Sequence, residues 1–572
     1  PLMSRGGTIA IHTYSADLKA GGVIDVSGGV IVSGDGTRSY GAGGSLTINA
    51  GQDLTVKSVL GGSLAMESTL KGYSGGRGGS LSILAPLIRI GGASTQPGTL
   101  TLSPEFFRQG GFASYNLSAL GAASERAGEF VPAIVIAANT RIEPVAESWV
   151  AMTDAAGTTL RPVLAPEGIR SPVSLGFNAV GVVDTYIPTT LLARGDFVMN
   201  EGASIRTDAR GSVAIEGNTV ALLGSIEAPA GAISVAGKNN SAILLLNSAE
   251  SAVTNVELGA RSLLSTAGTT LLIPDPRGYR TGSVLDGGMI SVSGNIVAQA
   301  GSVLDVSGTN DVLDFRPSFS TVDVPVHGPL NGSFMGYELT PTKVESNAGM
   351  ITLKGDQMLF TDATLRGFAG GTTALGGQLV VSSGRFSAPS APAQTPLEPT
   401  LAVTQGGVAI PGGFGSGGAI GQIVSGTAGS PLASMGHFAV NHFLGGGFDA
   451  LTLGGTVQFD GPVSIHARRS LNIADAGVLY ANSTVHLEAP YVALGSVFRA
   501  PIGLKDPDNP FTIGSLPFNF SPTYGRGDLT VVASLIDIGN LSLQNVGRAS
   551  LIARNGDIRG DGTLNISGAL NM

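Results

Sequence analysis

Between Gly454 and Gly495 six apolar-x-apolar triplets follow one another too closely for helices to separate them. They are Val457/Phe459, Val463/Ile465, Leu471/Ile473, Val478/Tyr480, Val485/Leu487 and Val492/Leu494, starting 6, 8, 7, 7 and 7 residues apart. Turn formers such as Asp460-Gly461-Pro462, Ala476-Gly477 and Ala489-Pro490 fill the gaps. Alternation sends the flanking side chains to one face and the middle ones (Gln458, Ser464, Asn472, His486) to the other. Every third triplet recurs after 21 or 22 residues: Val457 to Val478, Val463 to Val485, Leu471 to Val492. Three short strands therefore make one repeat, and a chain that turns the same way at each gap stacks them in parallel around an apolar centre. The predicted fold is all-β: a right-handed parallel β-helix with rungs of about 20–22 residues and extrahelical excursions. An up-and-down antiparallel sheet shares the triplets but has no need of the three-strand period.

In such a stack each rung touches only its neighbours, so 572 residues do not imply several globular domains. No 18-residue run is free of polar or charged groups, which predicts no membrane-spanning helix. The net charge of −9 comes with no block of Lys or Arg, so nucleic acid is not expected as a partner. Cysteine is absent, which removes disulfides and thiol chemistry. The chain starts at Pro1 without a basic or apolar leader and reaches Met572 without a capping segment, so a piece of a longer protein is expected.

Taken in order, residues 1–97 read as rungs, with Ile9/Ile11, Leu46/Ile48 and Leu81/Ile83. The rhythm breaks over 98–196, where Phe106, Phe107, Phe112, Tyr115 and Trp149 gather among frequent prolines. An extrahelical excursion with some strands is expected there; a helical subdomain built on 143–152 is the competing reading. Rungs resume over 197–308, with Val213/Ile215, Val220/Leu222 and Ile233/Val235. A second excursion covers 309–347, rungs return over 348–384, a Pro/Gly-rich excursion covers 385–450, and rungs fill 451–572. With two thirds of the residues in rungs, this predicts roughly 18 rungs and a rod on the order of 90 Å long.

The stretches GGSLTINAGQDLTV (43–56), GGSLSILAPLIRIGG (78–92), GGMISVSGNIVAQAGSVLDVSG (287–308) and SLNIADAGVLYANSTVHLEAPYVALG (470–495) resemble rungs of filamentous-haemagglutinin-type exoproteins of Gram-negative bacteria. FFRQGGFASYNLSALGA (106–122) followed by FVPAIVIAANTRIEPV (130–145) is similar to a segment inside large members of that group. The resemblance implies a secreted or cell-surface adhesin shaft, exported by a two-partner system through an outer-membrane barrel. It also implies a host glycan or protein receptor and no cofactor. A stalk for contact-dependent toxin delivery is a further implication.

Three Arg-Gly-Asp tripeptides are candidate recognition turns: Arg194-Gly195-Asp196, Arg526-Gly527-Asp528 and Arg559-Gly560-Asp561. An exposed turn of this kind offers a carboxylate to a receptor-bound cation and a guanidinium to an acidic pocket. Recurrence of one corner explains the same triplet without a receptor, since two of the three run straight into strand triplets. His437 and His442 would suit metal ligands only on a helix face, and Phe438 and Phe443 beside them point to docking on the shaft. Gly413-x-Gly415-x-x-Gly418 lacks the strand and helix that a dinucleotide site needs. A polysaccharide-cleaving β-helix enzyme would require carboxylates aligned on one sheet. Glu488 and Asp508 come nearest and do not align, while Asp311/Asp314, Asp506/Asp508 and Asp557/Asp561 fall in expected loops.

Overall fold

The alternating triplets become strands, and strand accounts for about half of the chain against 2% helix. The computed structural model describes residues 4–124, 129–154, 157–238, 252–315, 339–386, 397–410, 435–496, 518, 520–560 and 562–572. One run of the chain displays the rung. The strands Asp196–Met199, Ser204–Arg206 and Ser212–Gly217 pair in parallel with Thr219–Leu222, Ser225–Glu227 and Ala232–Gly237, respectively. Each strand lies on its counterpart one rung later, as a parallel β-helix requires. We call the faces I (from 212), II (from 196) and III (from 204).

Face I carries a single unbroken apolar ladder. Ile9, Leu46, Leu81, Tyr115, Leu175, Val213, Ile233 and Ile290 stand in register one above the next. Ile351, Leu379, Leu451, Leu471, Val492, Ile536 and Ile558 complete it. From Leu46 to Ile536 every one of them is buried. The row pointing outward on the same strands is small or polar through most of its length: Ala10, Thr47, Ser82, Asn116, Gly176, Ala214, Ser234, Ser291 and Thr352. A side-chain period of two thus separates a dry inner row from a wet outer one over the whole stack.

Face I is fifteen strands deep, about 70 Å at ordinary strand spacing. That is shorter than the sequence suggests, because corners and inserted strands use residues the period assigns to rungs. The segment 98–196 stays within the stack: Ser114–Ala119 joins Ser80–Ala85 to Ser174–Ala179 on face I, and Ile134–Ile136 joins Leu87–Ile90 to Asp196–Met199 on face II. No helix covers 143–152; Ser148–Asp154 is a strand of an antiparallel hairpin. Likewise Leu401–Thr404 and Gly436–Ala439, inside the expected 385–450 excursion, are face II strands. One register differs from the triplet reading. Val457 pairs with Leu479, so Leu479 and Ala481 point inward while Tyr480 points out and donates its hydroxyl to the Leu397 carbonyl at 2.6 Å. Val478 and Leu479 are both apolar, and a one-residue slip exchanges the faces.

The aromatic-rich stretch is a rung device used twice. FFRQGGFASYNL (106–117) and HFLGGGFDALTL (442–453) align, and the strands upstream, TLKGYSGG (69–76) and TLRGFAGG (364–371), align with them. In each copy the chain lays a second face II strand beneath the first, Thr99–Leu102 under Leu87–Ile90 and Gly436–Ala439 under Leu401–Thr404. It then makes a single helical turn, Pro104–Arg108 or Asn441–Leu444, that buries Phe107 or Phe443. Gly72 N–H donates to the Gly110 carbonyl and Gly367 N–H to the Gly446 carbonyl, both at 2.7 Å. Gly111 (φ 69°) sits on the Tyr73 ring and Gly447 (φ 75°) on the Phe368 ring, positions closed to a side chain by backbone sign and by space alike. Phe106, Phe107, Phe112 and Tyr115 pack edge to face around this turn, with centroids 5.3–5.9 Å apart.

Candidate functional site

The Arg-Gly-Asp segments fold inward or along strands. Arg194 Nε donates to Asp196 Oδ1 at 2.7 Å, and Thr219 Oγ1 donates to the same oxygen at 2.5 Å. The Asp196 side chain is 4% exposed, and the Arg194 guanidinium lies over the Phe130 ring. Gly195 N–H is taken by Asn218 Oδ1 at 2.9 Å, so this corner is held from three sides. Gly527 opens the strand Gly527–Ile538; Arg526 is exposed, and Asp528 pairs with Arg548 of the next rung. Arg559 and Gly560 close the strand Val546–Gly560, and Asp561 lies outside the described residues. Arg559 binds Asp537 through both carboxylate oxygens at 2.7 Å, and Tyr491 donates its hydroxyl to Asp537 Oδ2 at 2.8 Å. Two of the three segments thus contribute a rung-to-rung ion pair, Asp528 with Arg548 and Arg559 with Asp537, while Arg194 and Asp196 close on each other within one corner.

Other charges follow the same rule. Arg206 meets Glu227, Glu216 meets Lys238 and Arg170 meets Asp208. Asp311 and Asp314 both serve Arg280, through its guanidinium and its backbone N–H respectively. Glu488 faces His486 at 3.4 Å, Arg554 at 3.4 Å and His466 at 3.9 Å. Among the described residues no three His, Asp or Glu side chains form a group suited to a metal ion. His437 stacks on Phe360 at 5.4 Å, and His442 lies against Phe438, where burial lowers its pKa. Phe438 and Phe443 are buried in the core of the stack, as parts of a face II strand and the helical turn after it, rather than in a loop docked on the shaft. Asp506, Asp508, Gly413, Gly415 and Gly418 lie outside the described residues.

Among the described residues two corners break the uniform rod. Between face I and face II stand two short antiparallel pairs, Ala122–Ala123 with Phe130–Val131 and Val182–Val183 with Leu191–Ala193, and the larger interruption is the corner after face III. Between face III and face I the chain throws out four antiparallel hairpins: Val30–Val32 with Arg38–Tyr40, Ser148–Asp154 with Gly157–Val163, Thr270–Ile273 with Thr281–Val284, and Asn310–Phe315 with Thr340–Glu345. They touch along the rod axis. Ala151 N–H donates to the Tyr40 hydroxyl at 3.2 Å, and Trp149 packs on Tyr73 at 4.5 Å. Arg280 of the third hairpin region holds Asp311 and the Val312 carbonyl of the fourth. The resulting ridge exposes Val32, Met152, Ile273, Val312 and Phe315.

The triplet reading passes over this ridge, although a signal for it is present. Val23-Ile24-Asp25-Val26-Ser27-Gly28 and Val303-Leu304-Asp305-Val306-Ser307-Gly308 each precede a hairpin, as does Leu263-Leu264-Ser265-Thr266-Ala267-Gly268. The Asp25 and Asp305 carboxylates accept from the backbone N–H two residues on, at 2.8 and 2.9 Å, turning the chain outward. A Cβ on Gly28, Gly268 or Gly308 would lie 2.1, 2.5 or 2.2 Å from the carbonyl of Gly41, Leu285 or Ser346, where the second arm returns. Among the described residues no helix is long and apolar enough to cross a membrane. Comparison of the chain with known protein families, with characterised proteins and with solved structures gives no match.

Proposed function

We propose that this chain is the non-enzymatic structural shaft of a secreted or surface-exposed bacterial adhesin of the filamentous-haemagglutinin type, and that the hairpin ridge is its attachment surface. The observation that carries the reading is the gathering of four of the six described antiparallel hairpins at the corner between face III and face I, where they form one continuous ridge. A rod that only spaced two ends apart has no need of them, whereas a ridge of exposed apolar residues on a rigid support suits contact with a host protein or glycan. Export through an outer-membrane barrel fits a chain without cysteine whose rungs pair with near neighbours, since each rung can form as it emerges. A polysaccharide-cleaving enzyme is less well supported. Among the described residues the outward side of face I carries Glu216, Asp537 and Asp557, the last on a strand rather than in the expected loop; Glu216 pairs with Lys238 and Asp537 with Arg559, and Glu216 lies many rungs from the other two.

The test replaces residues 30–40, 148–163 or 270–284 with short glycine links and measures binding of each variant to host cells and to a glycan panel. Weaker binding at unchanged melting temperature is the expected result. Equal binding by every variant would remove the ridge from the proposal.

A further inference from the structure

We infer that the cleft at Arg89 is a binding site for a carboxylate-bearing sugar residue. Arg89 stands on the outward row of face II, in register with Val135 and Thr101. Further along the rod that row runs through Val198, Ala221, Glu257, Val297 and Phe360, and from Ala221 onward those positions are buried beneath covering chain. At the Arg89 end the row is only partly covered, and a cavity of about 350 Å³ opens over it, lined by Arg89, Thr95, Gln96, Thr99, Pro132 and Val135. In the second copy of the double-strand device the matching position is Ala402, 2% exposed, so the cation and its opening belong to the first copy alone.

Two observations point to a ligand. Arg89 has no hydrogen-bond or ion-pair partner among the described residues, and its Nε is sealed from solvent. Two other arginines that are largely buried, Arg170 and Arg194, each hold a carboxylate, so an unpaired, half-buried guanidinium carries a desolvation cost that an incoming anion would relieve. The second is the wall. Ser94 Oγ donates to Thr99 Oγ1 at 3.1 Å, Thr99 Oγ1 donates to the Gln96 carbonyl at 2.8 Å, and Gln96 N–H donates to Ser94 Oγ at 3.1 Å. The loop is therefore closed on itself and holds the Ser94 and Thr99 hydroxyl oxygens in fixed positions at the cleft, beside the Gln96 side chain.

One cation calls for one anionic group. The planar guanidinium fork suits a carboxylate, the hydroxyl and amide lining suits a polyol, and Pro132 with Val135 offers an apolar surface to a ring face. The volume is at the small end for ligand sites, which favours a sugar residue over a long segment of polymer. The inference rests on the attachment reading for its setting and on the cleft alone for its chemistry.

Saturation-transfer NMR on the whole chain tests it, with glucuronate, glucose and acetate as probes. Glucuronate should receive saturation while glucose and acetate receive little. Arg89→Gln should weaken glucuronate binding about tenfold or more, the loss of a charge-assisted hydrogen bond. Arg89→Lys, which keeps the charge and loses the fork, should bind at an intermediate level, an ordering that misfolding would not produce. Arg77→Gln, an exposed arginine elsewhere, should bind as wild type. Glucuronate binding unaffected by Arg89→Gln, equal loss in Arg77→Gln, or equal signals from glucose would overturn the site; an equal signal from acetate would overturn the sugar. Arg89→Gln protein that loses glucuronate yet adheres to cells normally would leave both the cleft and the ridge standing as separate surfaces, whereas loss of adhesion in the hairpin variants bears on the ridge alone.

Discussion

Asp537 illustrates how single residues tie rungs together. Burial by itself raises its pKa, but Arg559 and Tyr491 outweigh that, and the carboxyl sits below its ordinary value. The Tyr491 hydroxyl, desolvated and donating to the same carboxylate, is pushed up to about 12. A depressed carboxyl contributes stability that is present above its unfolded pKa of about 3.9 and is lost as pH falls through the lower folded value. Asp537→Asn should therefore cost about 1–2 kcal/mol at neutral pH, discounted for the half-exposed arginine, and the gap from wild type should close in acid. Urea melts of both proteins at neutral pH and near pH 2 would check this, and a gap that persists in acid would assign the cost to packing instead. The Tyr491 contribution has the opposite sense: it is present below the unfolded tyrosine pKa of about 10 and is lost as pH rises through the folded value. None of this was legible in the Arg-Gly-Asp spelling, because a tripeptide does not say whether its carboxylate faces a receptor or the neighbouring rung.

At the scale of elements, the triplets of 454–495 were legible because turns isolate them and the period of two is strict. Where two apolar residues adjoin, as at Val478-Leu479, the pattern admits two registers, and only the partner strand decides between them. The 98–196 segment was illegible for another reason. An inserted strand and a helical turn replace the regular third strand, so bulky rings take the place of Val and Ile in the interior. The two copies of that device should respond alike. Phe112→Ala and Phe448→Ala each remove a buried ring lying on a glycine, Gly72 or Gly367, and each should cost about 3–5 kcal/mol. Denaturant melts that leave one variant unaffected would break the equivalence. Gly268→Ala should splay the base of the third hairpin, seen as faster hydrogen exchange at 270–284 with strand 289–298 largely protected. The Arg89 cleft had no sequence signal at all, since an unpaired arginine is recognised only once its neighbours are in place.

For the molecule as a whole, contacts run mainly between adjacent rungs, so stability is a chain of local terms. Leu471→Ala, at a fully buried ladder position, should raise hydrogen exchange over 450–494 and leave 45–49 and 80–85 unchanged. Uniform loss of protection would mean a single cooperative core. The row of hairpins has a further consequence, because it gives the rod a keel. Four protrusions at one azimuth can meet a flat surface together only when the rod lies on that side, so once one hairpin is held the others are already at high local concentration. Individually weak contacts would then add up to durable attachment through avidity, and the rod's rigidity, by fixing their alignment, would set how strongly they reinforce each other.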